Sequence, residues 1–305
     1  MRTISVDQLK QSAIEAAWIQ WKSLGSFVDA QRPARSFIDP EALLLISLVL
    51  RDHERRLWDV LASWARSGSR LFSVQRSKNL LARFPDSTES RLAEFAWIAK
   101  TDGRDSRWRS LAGQEPGPSF RNQDLRRPYP DVGEASALIL RLRLGLGVGI
   151  APDLLAFLIS LQGGWATARM ISTATDYSVY SIRRAADKIA DARLIESTGS
   201  KPVEYRARID AWSKLLNFDG DLPHWRYWYQ VYSFVAHLIG EGGEWDGLSP
   251  YLLSSRLRDL AETHRDALSL NQIEVPEPMD FPGEAYLTAF DTLVASLTRW
   301  IGLSV

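Results

Sequence analysis

The chain has 305 residues, 45% hydrophobic and 24% charged, a balance that excludes an intrinsically disordered protein. It contains no cysteine, which excludes disulfides, thiolate nucleophiles and cysteine-based metal sites. Its 37 basic and 37 acidic residues cancel to a net charge of zero. The amino terminus lacks an apolar signal-peptide core, and the apolar run 43–50 is too short to cross a membrane. We therefore expect a cytoplasmic protein with no membrane partner.

The charge is unevenly distributed along the chain. Residues 51–130 hold 16 Lys or Arg against 10 Asp or Glu, residues 131–214 hold 11 against 9, and residues 215–305 hold 5 against 13. Because phosphate attraction depends on local charge, this asymmetry favours a middle region that faces nucleic acid and a tail that does not. Ordinary fluctuation of charge between domains is the alternative.

Residues 1–111 predict an amino-terminal helical domain. Apolar residues recur at three- and four-residue steps in four segments, namely 8–24, 39–50, 55–67 and 87–100. Asp39 is a suitable N-cap, Pro40 fits the first turn, and the very apolar run that follows predicts a helix buried on most faces.

A further helix after Ser73 suggests a second, degenerate helix-turn-helix. On this interpretation the helix presents polar and basic side chains to DNA: Gln75, Arg76, Lys78 and Asn79. A solvated helix of a helical bundle is the alternative.

Residues 112–133 are rich in proline and glycine and predict a linker. A helix over 134–144 follows, and then a glycine run over 145–149. This run follows a helix instead of a strand and lacks a Gly-Lys-Ser/Thr ending, so we interpret it as a flexible joint rather than a phosphate-binding loop.

The pattern between 152 and 208 is helix, helix, tight turn, helix, hairpin. Helices are predicted over 152–161, 167–175 and 179–192, the last with Ser178 as its N-cap. Short strands over 194–197 and 203–208 flank a turn that contains a glycine. In the third helix Val179, Ile182, Ala186 and Ile189 define a buried stripe.

These residues resemble the winged helix-turn-helix of bacterial transcription regulators, in the broad style of the multiple-antibiotic-resistance and arsenic-repressor families. Residues 168–178 match the second helix and turn, residues 181–189 the recognition helix, and residues 192–195 the start of the wing. The resemblance implies a winged-helix fold and contact with double-stranded DNA.

At about 100° per residue, the face opposite the buried stripe is polar. Together with the wing it supplies the predicted DNA-binding residues: Ser178, Tyr180, Ser181, Arg183, Arg184, Lys188, Lys201 and Arg206. Asp187 and Asp191 share this face, and there they either pair with Arg183, Arg184 or Lys188 or accept a hydrogen bond from cytosine.

Residues 215–305 predict a carboxy-terminal helical domain. Helices are expected over 222–240, 249–265 and 282–303, and the first is dense in aromatic residues that serve as core or as stacking platforms. The last helix offers an apolar face for a dimer contact, with packing inside the chain as the alternative: Tyr286, Phe290, Leu293, Leu297 and Trp300.

No pattern points to an enzyme, a metal or a cofactor. The four histidines are scattered, although His224 and His237 with Glu241 and Glu244 could converge on a metal ion. No Gly-x-Ser-x-Gly motif or acid–base carboxylate pair is present.

We therefore expect a mainly α, multi-helix protein with a central winged helix-turn-helix domain (134–214) that carries a small hairpin wing. The expected function is a DNA-binding transcriptional regulator, a homodimer without a cofactor or enzymatic activity. The alternative is a protein-interaction module, such as an antitoxin-like neutralising partner that also represses its own promoter.

Overall fold

A computed structural model describes residues 2–26, 32–114, 130–217, 222–240, 245 and 247–305. These residues form fourteen α-helices and one small three-stranded antiparallel sheet, so the mainly α class is confirmed. No helix in this part of the chain is both long and apolar enough to cross a membrane.

The elements fall into three stretches of sequence. The first holds α1 (Arg2–Ser23), α2 (Pro40–Leu50), α3 (Arg56–Ser67), α4 (Val74–Leu81) and α5 (Ser87–Thr101). The second holds α6 (Leu138–Leu146), α7 (Ile150–Ser160), β1 (Ala166–Thr167), α8 (Ala168–Thr175), α9 (Val179–Asp191), β2 (Glu196–Ser197), β3 (Glu204–Arg206) and α10 (Ile209–Leu216). The third holds α11 (Trp228–Gly240), α12 (Pro250–Thr263), α13 (Arg265–Leu270) and α14 (Ala285–Ser304).

The buried apolar side chains form two clusters. The larger cluster combines the amino-terminal helices α1–α5 with the carboxy-terminal helices α11–α14, and the smaller one consists mainly of residues 138–222. The segments 1–111 and 215–305, which we predicted as separate helical domains, therefore share one core. The physical reason is α2, which is buried on every face and so needs neighbours from both segments.

Local capping explains where α2 begins. The Asp39 carboxylate accepts a hydrogen bond from the Ala42 N–H at 3.1 Å, and Pro40 occupies the first turn, as the sequence predicted. Every residue of α2 is buried, including Glu41. α14 packs along α1, so the apolar face suggested for a dimer contact is largely buried within the chain: Tyr286, Phe290, Leu293 and Leu297.

The small sheet belongs to the second cluster. β3 lies between β1 and β2, with Tyr205 opposite Ala166 on one side and Ser197 on the other. The strands are shorter than predicted, whereas α7, α8 and α9 end within about two residues of their predicted bounds. Of the predicted linker, residues 115–129 lie outside the described residues.

A buried charge cluster joins the two apolar clusters. It consists of two arginines and three carboxylates, and we call it the junction cluster: Asp39, Glu41, Arg76, Arg143 and Asp153. Arg76 Nη2 donates to Asp39 at 2.6 Å and its Nη1 to Glu41 at 2.7 Å. Arg143 Nη1 donates to Glu41 at 2.6 Å and its Nη2 to Asp153 at 2.8 Å.

The junction cluster also holds the segment before α9. The Tyr177 hydroxyl donates to Asp153 at 2.9 Å, and Arg76 Nε donates to the Thr175 carbonyl at 2.8 Å. Arg76 is only 3% exposed, so its prediction as a DNA-contacting side chain was wrong. It faces inward because the two carboxylates near the start of α2 surround its guanidinium.

Candidate nucleic-acid interface

A tight turn sets the angle between α8 and α9. Asp176 adopts a left-handed conformation with φ +59°, and its N–H donates to the Ser172 carbonyl at 2.9 Å. The Ser178 side chain then accepts a hydrogen bond from the Ser181 N–H at 3.2 Å, which confirms it as the N-cap of α9. α9 is anchored by Ile182, Ala186 and Ile189, which are buried, whereas Val179 is only half-buried.

The outer face of α9 is open to solvent. Tyr180 is 67% exposed, and Arg183, Arg184 and Lys188 are exposed as well, while Ser181 is half-buried. Within the described ranges, none of the three cations forms an ion pair with a carboxylate. The Arg184 guanidinium lies 5.7 Å from the centre of the Tyr180 ring, one helical turn away. This face therefore presents three cations with unused hydrogen-bond donors.

Asp187 does not neutralise this face in the way the sequence suggested. Its carboxylate accepts a hydrogen bond from the Tyr205 hydroxyl of β3 at 2.8 Å instead of pairing with Arg183, Arg184 or Lys188. Burial, together with this hydrogen bond and the Asp187 charge, raises the pKa of Tyr205 to about 12. The hairpin thus engages the Asp187 carboxylate, whereas Asp191 remains exposed near the end of α9.

The two cations predicted on the wing differ in their surroundings. Lys201 is exposed in the turn between β2 and β3. Arg206 Nε donates to the Glu196 carboxylate at 2.5 Å, and its guanidinium lies 4.5 Å from the centre of the Trp165 ring. Arg206 therefore stabilises the hairpin, and Lys201 is the wing cation that stays accessible.

α4 does not present the second contact surface that the degenerate helix-turn-helix interpretation requires. Gln75 and Asn79 are exposed but hydrogen-bond each other at 2.9 Å, and Lys78 donates to the Ser110 hydroxyl at 2.8 Å. With Arg76 buried, the helix offers no continuous basic face. It abuts the turn before α9 instead, where Arg83 pairs with Asp176 at 2.6 Å.

An open cleft of about 1000 Å³ lies between this turn and the helical core. Arg83 and Tyr229 line it, and the Tyr229 hydroxyl donates to the Thr173 carbonyl at 2.7 Å. The aromatic residues of α11 are otherwise mostly core, since Trp228 and Tyr232 are fully buried.

The sequence-based metal hypothesis finds no support in the described part of the chain, where no three His, Asp or Glu side chains gather as a metal site. Glu241 and Glu244 lie outside the described residues. His237 instead lies beside His264, with ring centres 5.5 Å apart. Burial, followed by the charges of His237 and Arg83, lowers the pKa of His264 to about 4.

The buried residues that hold the segment before α9 in place were not predicted from the sequence. Glu41 and Asp153 are single charges within otherwise apolar helices, and Arg143 lies in an apolar helix whose one other charge is Arg141. A lone charge in a fully apolar helix has to be paired when it is buried, and this signal was available before the structure.

The chain matches no protein-family model, no curated protein and no solved structure.

Proposed function

We propose that the chain is a DNA-binding transcriptional regulator in which residues 152–208 act as a winged helix-turn-helix. The order helix, strand, helix, turn, helix, hairpin supports this proposal, as does the pairing of the first strand with the last strand of the hairpin. In this proposal α9 is the recognition helix and enters the major groove.

The observation that carries the proposal is the uncovered cationic face of α9. Arg184 and Lys188, with Tyr180 and Ser181, contact base edges, and Arg183 contacts a flanking phosphate. Lys201 on the wing contacts the backbone beside the groove. A helix whose cations had only a structural role would be expected to pair them with carboxylates, as the junction cluster pairs Arg76 and Arg143.

We also propose that the regulator acts as a homodimer. Residues 150–217 contain nine Lys or Arg against seven Asp or Glu, an excess of only two positive charges. Two copies on neighbouring half-sites double the phosphate contacts. Sedimentation equilibrium checks the dimer directly.

The experiment begins with duplexes selected by the wild-type chain from a random-sequence pool. Affinity for the selected duplex is then measured by fluorescence anisotropy between about 50 and 200 mM salt, a range over which phosphate contacts weaken steeply. We expect Arg184→Ala/Lys188→Ala to lose most of this affinity, because each base contact contributes about 1–3 kcal/mol.

Two variants serve as controls. Arg55→Gln/Arg299→Gln removes the same charge from exposed positions elsewhere and should leave binding near that of the wild type. Asp191→Asn removes a carboxylate from the α9 face and should tighten binding slightly. Wild-type affinity in the Arg184/Lys188 variant, or no binding of any duplex at low salt, would contradict the proposal.

A protein-interaction module is the second candidate, favoured by exposed apolar side chains at the start of α12. Tyr251 is 66% exposed and Leu252 52% exposed, in the acidic third of the chain. Salt-independent capture of one protein partner, abolished by Tyr251→Ser/Leu252→Ser, together with no DNA binding at low salt, would favour this function.

A further inference from the structure

The glycine joint between α6 and α7 lies between two open clefts. The first, of about 430 Å³, we call the arginine cleft, and the joint contributes Gly147 and Val148 to it. The second cleft has a volume of about 290 Å³. We call it the α9 cleft, because Arg184 and Lys188 line it, together with Ile150 and Ala151 at the start of α7. One short segment of backbone therefore separates the cationic face of α9 from the arginine cleft.

The arginine cleft is lined mainly by charged side chains. Arg70, Arg104, Arg107, Asp105 and Ser106 surround it, and the buried Arg143 contributes to its lining. Arg107 is neutralised by Asp105, with hydrogen bonds of 2.9 and 2.6 Å. Arg143 is neutralised by its two carboxylates in the junction cluster.

Arg70 and Arg104 are left without a counter-charge. Both are exposed, and neither forms an ion pair or a side-chain hydrogen bond with any described residue. The cleft therefore carries a local excess of about two positive charges at neutral pH.

The backbone beside Arg70 is held in place on both sides. Arg107 Nη2 donates to the Ser69 carbonyl at 3.1 Å, and Arg143 Nη1 donates to the Leu71 carbonyl at 2.8 Å. Asp105, which follows Arg104, is buried and its N–H donates to the Ala99 carbonyl at 2.9 Å. These contacts hold the backbone on which Arg70 and Arg104 lie. Less backbone ordering is therefore required when the two arginines bind a ligand.

The surface of the glycine joint between the two clefts is unobstructed. A Cβ atom added at Gly147 or Gly149 would meet no atom within 4 Å outside the adjacent residues, so no other described part of the chain packs against the backbone at these two positions. Val148 in one cleft and Ile150 in the other are two residues apart, at most about 7 Å. This distance equals about two base-pair steps of a duplex.

We propose that Arg70 and Arg104 bind backbone phosphates of the same DNA duplex whose major groove receives α9. The inference rests on the proposed function and adds a second contact region to it. The phosphate strand leaves the α9 cleft, crosses the glycine joint and enters the arginine cleft. These two contacts are sequence-independent and increase affinity for every duplex alike.

The test compares the salt dependence of duplex binding in the wild type and in Arg70→Gln/Arg104→Asn. Asparagine is chosen because Arg104 has a left-handed backbone with φ +54°, which asparagine tolerates. We expect the slope of log affinity against log salt to decrease in magnitude by about 2, one for each lost phosphate contact. The affinity of the variant for selected and for random duplexes of about 30 base pairs should fall by the same factor.

The Arg55→Gln/Arg299→Gln variant removes two exposed charges outside both clefts and should keep the wild-type slope. An unchanged slope in Arg70→Gln/Arg104→Asn overturns this inference, whereas loss of binding in Arg184→Ala/Lys188→Ala still supports the proposed function. Thermal stabilisation of the wild type by inorganic phosphate that depends on Arg70 and Arg104, with DNA binding unaltered, identifies the cleft as a free-anion site and also overturns it.

Discussion

The junction cluster and the outer face of α9 both depend on arginine, yet their arginines have opposite surroundings. In the junction cluster, Arg76 and Arg143 are almost completely buried and each contacts two carboxylates. On α9, Arg183 and Arg184 are exposed and pair with no carboxylate among the described residues. The positive charge of the chain therefore has two uses, one internal and one available to a ligand.

The local excess of positive charge in the sequence therefore overstates the positive charge that the fold leaves free to contact DNA. Residues 51–130 carry an excess of six positive charges, but Arg76 is buried and several other arginines of this segment pair with carboxylates of the same segment. Arg51 pairs with Glu94 and Arg107 with Asp105. An arginine becomes a candidate for phosphate contact only when the fold leaves it without a carboxylate.

Removing one carboxylate of the junction cluster should have the largest effect on stability. Glu41→Gln removes the buried carboxylate that accepts hydrogen bonds from both Arg76 and Arg143, and we expect a loss of about 3–5 kcal/mol in the free energy of unfolding. Urea denaturation measures it. Glu134→Gln, at an exposed position, should change stability by less than about 0.5 kcal/mol. Equal stability of the two variants would show that the junction cluster has no structural role.

Acid should weaken the contribution of the junction cluster to stability by protonating Glu41 in the unfolded chain. Burial alone would raise the pKa of Glu41, but Arg143, Arg76 and the Ser73 N–H more than offset it and lower the pKa from 4.5 to about 2. As the pH falls from 4.5 towards 2, the unfolded chain therefore binds a proton that the folded chain does not. Stability should fall by roughly 3 kcal/mol across this window, and the contribution is complete above it.

Urea denaturation at a series of pH values from 6 to 2.5 checks this expectation. Glu41→Gln lacks the titrating group, so its stability should decline less steeply below pH 4.5 than that of the wild type. Parallel declines in the two proteins would contradict the pKa shift assigned to Glu41.

A smaller effect on stability is expected at the hydrogen bond that joins the hairpin to α9. Tyr205→Phe removes the hydroxyl that holds Asp187 away from the α9 cations, and we expect a stability loss of about 1–2 kcal/mol. The freed carboxylate then lies on the same helix as Arg183 and Lys188, so DNA affinity should also fall slightly. Wild-type stability in this variant would mean that the hydrogen bond contributes nothing net.

Much of the fold was predictable because its determinants are local. Asp39 and Ser178 were predicted as caps from the residue type before an apolar run, and each accepts the expected backbone hydrogen bond. The buried stripe of α9 followed from three- and four-residue spacing. Tyr180, Arg184 and Lys188 were therefore assigned correctly to an exposed face.

What could not be predicted depends on partners distant in sequence. Arg76 was expected to face solvent, but it pairs with Asp39, which lies 37 residues earlier. Asp187 was expected either to pair within α9 or to accept a hydrogen bond from cytosine, but in the fold it accepts one from Tyr205, which lies 18 residues later. Arg70 and Arg104 meet in one cleft only because the helices between them pack against α2, which no local pattern encodes.

If α9 binds DNA, its cations contribute to affinity and not to folding, whereas the buried arginines stabilise the fold. Both unfolding and duplex binding are therefore measured for Arg184→Ala/Lys188→Ala. We predict that the free energy of unfolding stays within about 0.5 kcal/mol of the wild type while affinity for the selected duplex falls at least about 30-fold. Unchanged affinity, or a loss of affinity that merely follows a loss of stability, would contradict the claim.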